Sequence, residues 1–402
     1  MSLQTIIDAL SYPPTHTYVL GDREHPTATG VLAERLQIMR RLTPEFWQST
    51  HGTMLDVGCN KGFFSLLGKQ AFEQVVGIDP VSGYVDLCRE ICPSGEFVAT
   101  SFRDYVPAQL FDRVLIANGH HHLFKESSWA WVRKLAAITR HNALVLIEGI
   151  PNESAPDGAE FPGLREEDFL CAMKQHFDLL AQGPSCGYTP GRQIWLFKRH
   201  FADLHRTVNY TNLSFKTVAR EGRIRGSWHQ AQIAFSDTHV YKTYAHPTDP
   251  SLWIRAAIAS LMPGATGITS WIIRDGQVVG WSELRAEGSP GIVGWTTINN
   301  FDEATRYAQQ CHADLSRYER ELILVGYFDA DPSLTNIVGG KIVDKNNVLP
   351  ISQLGPKQYD FIHGTTATVM RGRGADENDI LRLCSVMATR DAGKLLEEWK
   401  RW

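Results

Sequence analysis

The chain has 402 residues, a formal net charge of -4 and an apolar fraction of 43%. Its length exceeds one ordinary core, so two domains are expected. The near-balanced charge, with no polybasic run, gives no footing for a nucleic-acid or membrane-surface role, and no apolar run reaches membrane-spanning length.

In chain order, "MSLQTIIDALSYPPTHTY" lacks the basic flank and long apolar core of a signal peptide, so a cytoplasmic protein is the expectation. Next, "VLAERLQIMRRL" at 31–42 has helical periodicity and leads into an apolar strand at Met54. The stretch "MLDVGCNKGFFSLL" (54–67) begins as that strand, breaks at glycine and resumes as a helix. Strands at Val75–Asp79, Phe97–Thr100, 111–119 and 142–150 then alternate with helices at Tyr84–Ile91 and Trp129–Thr139. This rhythm predicts an α/β domain with a parallel sheet, and "GRQIWLFKR" (191–199) reads as a last strand pairing antiparallel. After about residue 205 the pattern shifts to short alternating strands in 222–244 and to a hairpin, "SWIIRDGQVVGW", marked by its Asp-Gly turn. Helices are expected at 302–322 and 392–402. Strands followed by helices read as an α+β second domain, so the boundary is set at 1–204 and 205–402.

The glycine break carries the chemistry. Gly58, Asn60 and Gly62 give G-x-N-x-G where a dinucleotide site would show G-x-G-x-x-G. Glycines there let the backbone approach a ligand closely. Asp56, at the strand end, would repel a pyrophosphate but attract the ammonium and sulfonium of S-adenosylmethionine. Cys59, inside the turn, reads as a small side chain that fits rather than as a nucleophile. Asp79 closes the second strand about twenty residues on, where a carboxylate can accept the ribose hydroxyls.

Other site residues should sit at strand carboxyl ends. Phe102 follows the third strand and either stacks on adenine or packs the core, and Asn118 ends the fourth strand beside the cofactor. His121 and His122, in "GHHHLF", can take a proton from a hydroxyl acceptor or pack a helix start. Glu148, ending the fifth strand, orients the acceptor or a histidine, or caps the next helix. Adjacent histidines in one loop rarely converge on an ion, and seven cysteines without a C-x-x-C pair argue against disulfides and zinc, so no metal is assigned.

Taken together, "LDVGCNKGFFSL", "VVGID", "FDRVLIANGHHHLF" and "ALVLIEG" resemble the class I S-adenosylmethionine-dependent methyltransferases over residues 30 to 200. The resemblance implies a Rossmann-like sheet, with Asp56, Gly58, Asn60 and Gly62 around the methionine portion, Asp79 on the ribose and Phe102 by the adenine.

In the second domain, Asp331 and Asn336 have the D-x-x-x-x-N spacing of a kinase catalytic loop, and Lys242 lies on a strand where a kinase places its phosphate-binding lysine. The helix "SLWIRAAIASL" has no glutamate to pair with Lys242, and "VLPISQLG" puts Ser352 where a metal-binding aspartate is expected. A methyltransferase followed by a kinase-like domain resembles the bifunctional proteins that cap bacterial O-antigen polysaccharides. No heptad pattern precedes Trp402, so that family's long C-terminal coiled coil is not expected here. The resemblance implies a sugar or glycan acceptor and, in the second domain, ATP and magnesium. With Ser352 at the metal position, a kinase-like fold that no longer transfers phosphate is expected, the alternatives being a bifunctional kinase-methyltransferase of polysaccharide termini and a non-catalytic scaffold that senses the cofactor.

Overall fold

The computed structural model describes residues 28–48, 50–117, 119–149, 165–186 and 191–200, and, further on, 207–208, 216–218, 231–244, 251–274, 277–286, 314, 317–329, 337–338, 341–343, 345, 348–353 and 378. The chain divides into two compact units, Met1–Tyr105 with Leu110–His200, and Val106–Gln109 with Phe201–Trp402.

The first unit runs α1 (Ala28–Leu42), β1 (Thr50–Val57), α2 (Phe63–Gly68), β2 (Phe72–Asp79), α3 (Ser82–Ile91), β3 (Glu96–Ala99), β4 (Phe111–Ala117), α4 (His120–Ser127), α5 (Ala130–Ile138), β5 (Thr139–Gly149), α6 (Glu166–Lys174), β6 (Phe177–Pro184) and β7 (Gln193–Arg199). Its seven strands are ordered β3-β2-β1-β4-β5-β7-β6. The first five pair in parallel, while β7 pairs antiparallel with both β5 and β6. The antiparallel pairing expected for 191–199 is therefore present. Helix α6 and strand β6 add to the elements expected from sequence, and β6 alternates buried with more exposed residues.

Strand order reverses between β1 and β4, and at such a switch point the loops leaving the strands diverge and open a crevice. The sheet is held from both sides. Leu55, Val76, Val114, Leu115, Val145 and Leu146 are almost wholly buried, as suits parallel strands covered on both faces. Close packing also explains Gly77, where a Cβ would lie 2.6 Å from Phe97 Cδ1.

The second unit carries a six-stranded sheet ordered β8-β12-β13-β11-β10-β9, from β8 (Thr207–Val208), β9 (Lys216–Val218), β10 (Ala231–Phe235), β11 (His239–Tyr244), β12 (Ile268–Arg274) and β13 (Gln277–Leu284). Helix α7 (Ser251–Ser260) separates β11 from β12. The expected hairpin is β12–β13, with Arg274 opposite Gln277. Residues 317–324 are helical, whereas the rest of the helix expected at 302–322, apart from Asp314, and the whole of that at 392–402 lie outside the described residues. Short strands β14 (Tyr327–Asp329), β15 (Ile337–Val338), β16 (Lys341–Ile342) and β17 (Val348–Pro350) pair as β14–β17 and β15–β16. Among the described residues, no helix is long and apolar enough to cross a membrane.

Candidate active site

The glycine turn sits at the end of β1, on the switch-point side of the sheet. Gly58, Asn60 and Gly62 all have positive φ, at 71°, 48° and 80°. The turn is fastened to β2: Gly58 N–H and Cys59 N–H both donate to the Ile78 carbonyl at 2.9 Å. A Cβ on Gly58 would meet no atom within 4 Å, so open space adjoins the backbone there. At Gly62 a Cβ would lie 2.9 Å from Cys88 Sγ, so glycine is needed for packing as well as for φ. These features fit an S-adenosyl cofactor held close against the main chain.

Asp79 binds the turn directly. One carboxylate oxygen accepts Asn60 N–H at 3.0 Å and the other accepts Val81 N–H at 2.9 Å. Asp56 is more enclosed than the sequence suggests: it is 1% exposed, and Ser65 Oγ donates to it at 2.7 Å. Burial, reinforced by the charge of Asp79, pushes its pKa up to about 7 against the hydrogen bond from Ser65. Cys59 Sγ and Cys88 Sγ lie 3.8 and 3.1 Å from the Asn60 carbonyl oxygen, so both thiols pack beneath the turn. The Cys59 thiol is pushed well above the ordinary range by its hydrogen bond with Cys88 and by burial, which suits a packing role.

Phe102 is buried, with Lys134 Nζ 5.5 Å from its ring centroid. Asn118 lies outside the described residues. The histidines open α4. Gly119, which precedes them, lies beside the first strand: a Cβ there would sit 3.8 Å from the Val57 carbonyl oxygen. The histidine turn and the glycine turn are thus neighbours. His120 fills the space left by Gly149, whose Cβ would lie 2.0 Å from its ring, and it packs 5.8 Å from Phe169 and 6.0 Å from Trp195. His121 is buried, whereas His122 is exposed, and their ring centroids are 4.0 Å apart.

Glu148 is placed differently from its expectation. It is fully buried, with Arg35 donating to both oxygens, Ser185 Oγ donating at 2.6 Å and Arg192 Nη1 at 3.4 Å. Burial pushes its carboxyl up, but Arg35, Arg192 and Ser185 together hold it below the usual range. It is an internal counter-ion that ties α1 and the β6–β7 connection to β5. Arg35, Ser185 and Arg192 were missed. Arg35 gave one signal, a charged residue four positions before buried Met39 on the same helix face.

In the second unit, Lys242 on β11 is buried, donates to the Val343 carbonyl and pairs with Glu283 Oε1 at 3.2 Å. Glu283, on β13, was not foreseen as the partner. Its other oxygen takes Lys345 and a 2.6 Å hydrogen bond from Thr266 Oγ1. Burial opposes its ionisation, yet Lys242 and Lys345 hold the carboxyl below the usual range. Ser352 is exposed in the turn Ile351–Gln353, and the backbone that meets Lys242 is Val343. Asp331 and Asn336 lie outside the described residues. Among the described residues, no group of three or more His, Cys, Asp or Glu side chains is arranged to hold a metal ion.

A family model described as "Methyltransferase domain" matches residues 54–142. No curated protein matches the chain. Among solved structures, the N-methyltransferase NodS from Bradyrhizobium japonicum WM9 in complex with S-adenosyl-L-homocysteine is similar at 12% identity and a TM-score of 0.37, covering 49% of this chain and 97% of its own. The magnesium protoporphyrin IX methyltransferase ChlM from Synechocystis PCC 6803, with bound SAM, is similar at 15% identity and a TM-score of 0.35, covering 43% and 81%. WbdD is similar at 15% identity and a TM-score of 0.33, covering 92% of this chain and 86% of its own. The family-model match and the glycine turn at the switch point lead to one conclusion: the first unit carries a class I S-adenosylmethionine-dependent methyltransferase domain.

Proposed function

We propose that this protein is an O-methyltransferase acting on a sugar or glycan, phosphorylated or not, with a kinase-like second unit that positions the acceptor. The observation that carries the reading is the adjacency of the histidine turn to the glycine turn, through Gly119 and Val57. That adjacency supports reading His122, which is exposed, or its buried neighbour His121 as the base.

Asp56, Gly58, Asn60 and Gly62 would surround the methionine portion, with Cys59 packed inside the turn; Asp79 would hold the ribose, Phe102 would lie by the adenine and Asn118 would contact the cofactor. When bound, S-adenosylmethionine supplies a methyl group on a sulfonium. The chain's own part is to align the acceptor oxygen with that methyl and to receive its proton on an imidazole nitrogen of His122 or His121, since neutral histidine is a base near pH 7. Because Glu148 is sealed by two guanidinium groups, its share is to fix the end of β5.

Support for the kinase-like reading comes from the antiparallel meander β9-β10-β11, followed by α7 and the β12–β13 hairpin, with β13 returning against β11. Lys242 falls on the third strand, where kinases carry their phosphate-binding lysine. The glycan acceptor rests on the sequence resemblance. Incubating the full chain with S-adenosylmethionine and a panel of glycans, with and without terminal phosphate, should give S-adenosylhomocysteine and a methyl ether or ester. Methylation of amines alone would refute the O-methyl assignment.

A further inference from the structure

We propose that Lys134 is a positioning residue for the adenine end of the cofactor site, its ammonium fixing the 100–105 loop and, with it, the ring of Phe102. The proposal rests on the reading of Phe102 as the residue beside the adenine.

Lys134 lies in the middle of α5 and is 0% exposed. Its Nζ donates to the Arg103 carbonyl at 2.7 Å and stands 5.5 Å from the Phe102 ring centroid. At the loop's other end, Thr100 N–H donates to the Asp79 carbonyl at 2.9 Å. Between these anchors the loop sets its own shape. Ser101 Oγ donates to Asp104 at 2.9 Å and accepts Asp104 N–H at 3.1 Å, and Tyr105 N–H donates to the Ser101 carbonyl at 2.9 Å. Internal bonds fix the turn, whereas Thr100 and Lys134 fix where it sits. Phe102 lies between the anchors, so its ring position depends on both.

A lysine is a costly way to fill this space, because an ammonium loses its hydration there and methionine has nearly the same volume. What the ammonium gains is a charge-assisted bond to the loop backbone and attraction to the face of an aromatic ring, the interactions that locate Phe102. Asp104 and Glu126 face it and favour the charged form, while Arg103 opposes it, and burial is the largest influence, bringing its pKa to about 7. Near neutrality, therefore, rising pH removes the charge that draws Phe102 into place, although the amine still donates to Arg103. Affinity for adenine-bearing ligands should fall as Lys134 loses its proton.

Calorimetry on the full chain with S-adenosylhomocysteine, and separately with adenosine, tests the proposal. Lys134→Met is expected to weaken both ligands by the same factor, about tenfold. It should also lessen the pH dependence of affinity around pH 7, leaving the share that belongs to Asp56. In a Phe102→Ala background, Lys134→Met should add nothing, since it acts through that ring. Phe102→Leu gives a second handle should Lys134→Met fail to fold, and it is expected to lessen the same pH dependence. Unchanged affinity and an unchanged pH dependence in the variants would overturn the proposal. A loss for S-adenosylhomocysteine that adenosine does not share, or full additivity of the two substitutions, would do the same. A wild-type chain that binds no S-adenosylhomocysteine would overturn the cofactor-site reading first, and this proposal with it.

Discussion

Asp79 does more than wait for a ribose, and replacing it should separate its two tasks. Its carboxylate accepts Asn60 N–H at 3.0 Å and Val81 N–H at 2.9 Å while the residue is only 7% exposed. Asp79→Ala deletes two hydrogen bonds to a charged acceptor, each contributing about 1.5–3 kcal/mol, and strands two partly buried donors. Allowing for water reaching those N–H groups, a stability loss of about 2–5 kcal/mol is expected. Asp79→Asn keeps one carbonyl oxygen for one of the donors, so its loss should be nearer 1–2 kcal/mol. The proper ligand comparison is therefore wild type against Asp79→Asn, which keeps the turn folded while removing the charge that the ribose hydroxyls would meet. Urea denaturation gives the stabilities, and calorimetry with S-adenosylhomocysteine gives the affinity. Asp79→Ala matching wild type in denaturation would refute the claim that this carboxylate builds the turn. Asp79→Asn matching wild type in affinity would refute the ribose assignment.

Other expectations follow from the same geometry. Asp56, with a folded pKa near 7 against an ordinary 3.8, binds more protons folded than unfolded between these values, so it lowers stability as pH rises through them; Asp56→Asn should remove that slope and be the more stable protein at pH 8, as thermal melts would record. Gly149→Ala would place a Cβ 2.0 Å from the His120 ring and should lower turnover along with stability, measured as kcat beside Tm; an unaffected enzyme would show that the His120 packing is irrelevant to the site. Glu283→Gln leaves Lys242 and Lys345 buried with their counter-ion gone and should cost about 3–5 kcal/mol in denaturant unfolding, whereas a loss under 1 kcal/mol would indicate that the cluster is solvated. His122→Ala should lower methyl transfer by about a hundredfold or more without changing S-adenosylhomocysteine affinity, and full turnover in both His122→Ala and His121→Ala would leave these rings only a packing role.

Local chemistry was legible and distant pairing was not. The β1 turn could be read because its glycines, its flanking acids and the strand-to-helix switch all fall within a few residues, and Asp79 because the distance from turn to second strand is set by one crossover helix. Glu148 was misread because its partners are remote: Arg35 lies 113 residues away, Arg192 44 and Ser185 37. A carboxylate at a strand end looks the same in sequence whether it meets a substrate or a buried guanidinium. Lys134 gave no sign at all, since a lysine in an amphipathic helix reads as a solvated face. In the second unit the partner of Lys242 is not on a helix, because Glu283 reaches it from a neighbouring strand, two residue pairs along the β11–β13 register.

If the turn from Gly58 to Gly62 is built for an S-adenosyl cofactor and not for a dinucleotide, S-adenosylhomocysteine and NAD titrated separately into the full chain should part company in a calorimeter. Saturable binding of S-adenosylhomocysteine at one site per chain, weakened by Asp79→Asn, is expected, with no heat from NAD beyond dilution. Binding of NAD at comparable affinity, or no binding of S-adenosylhomocysteine by the folded wild-type chain, would contradict that reading of the turn.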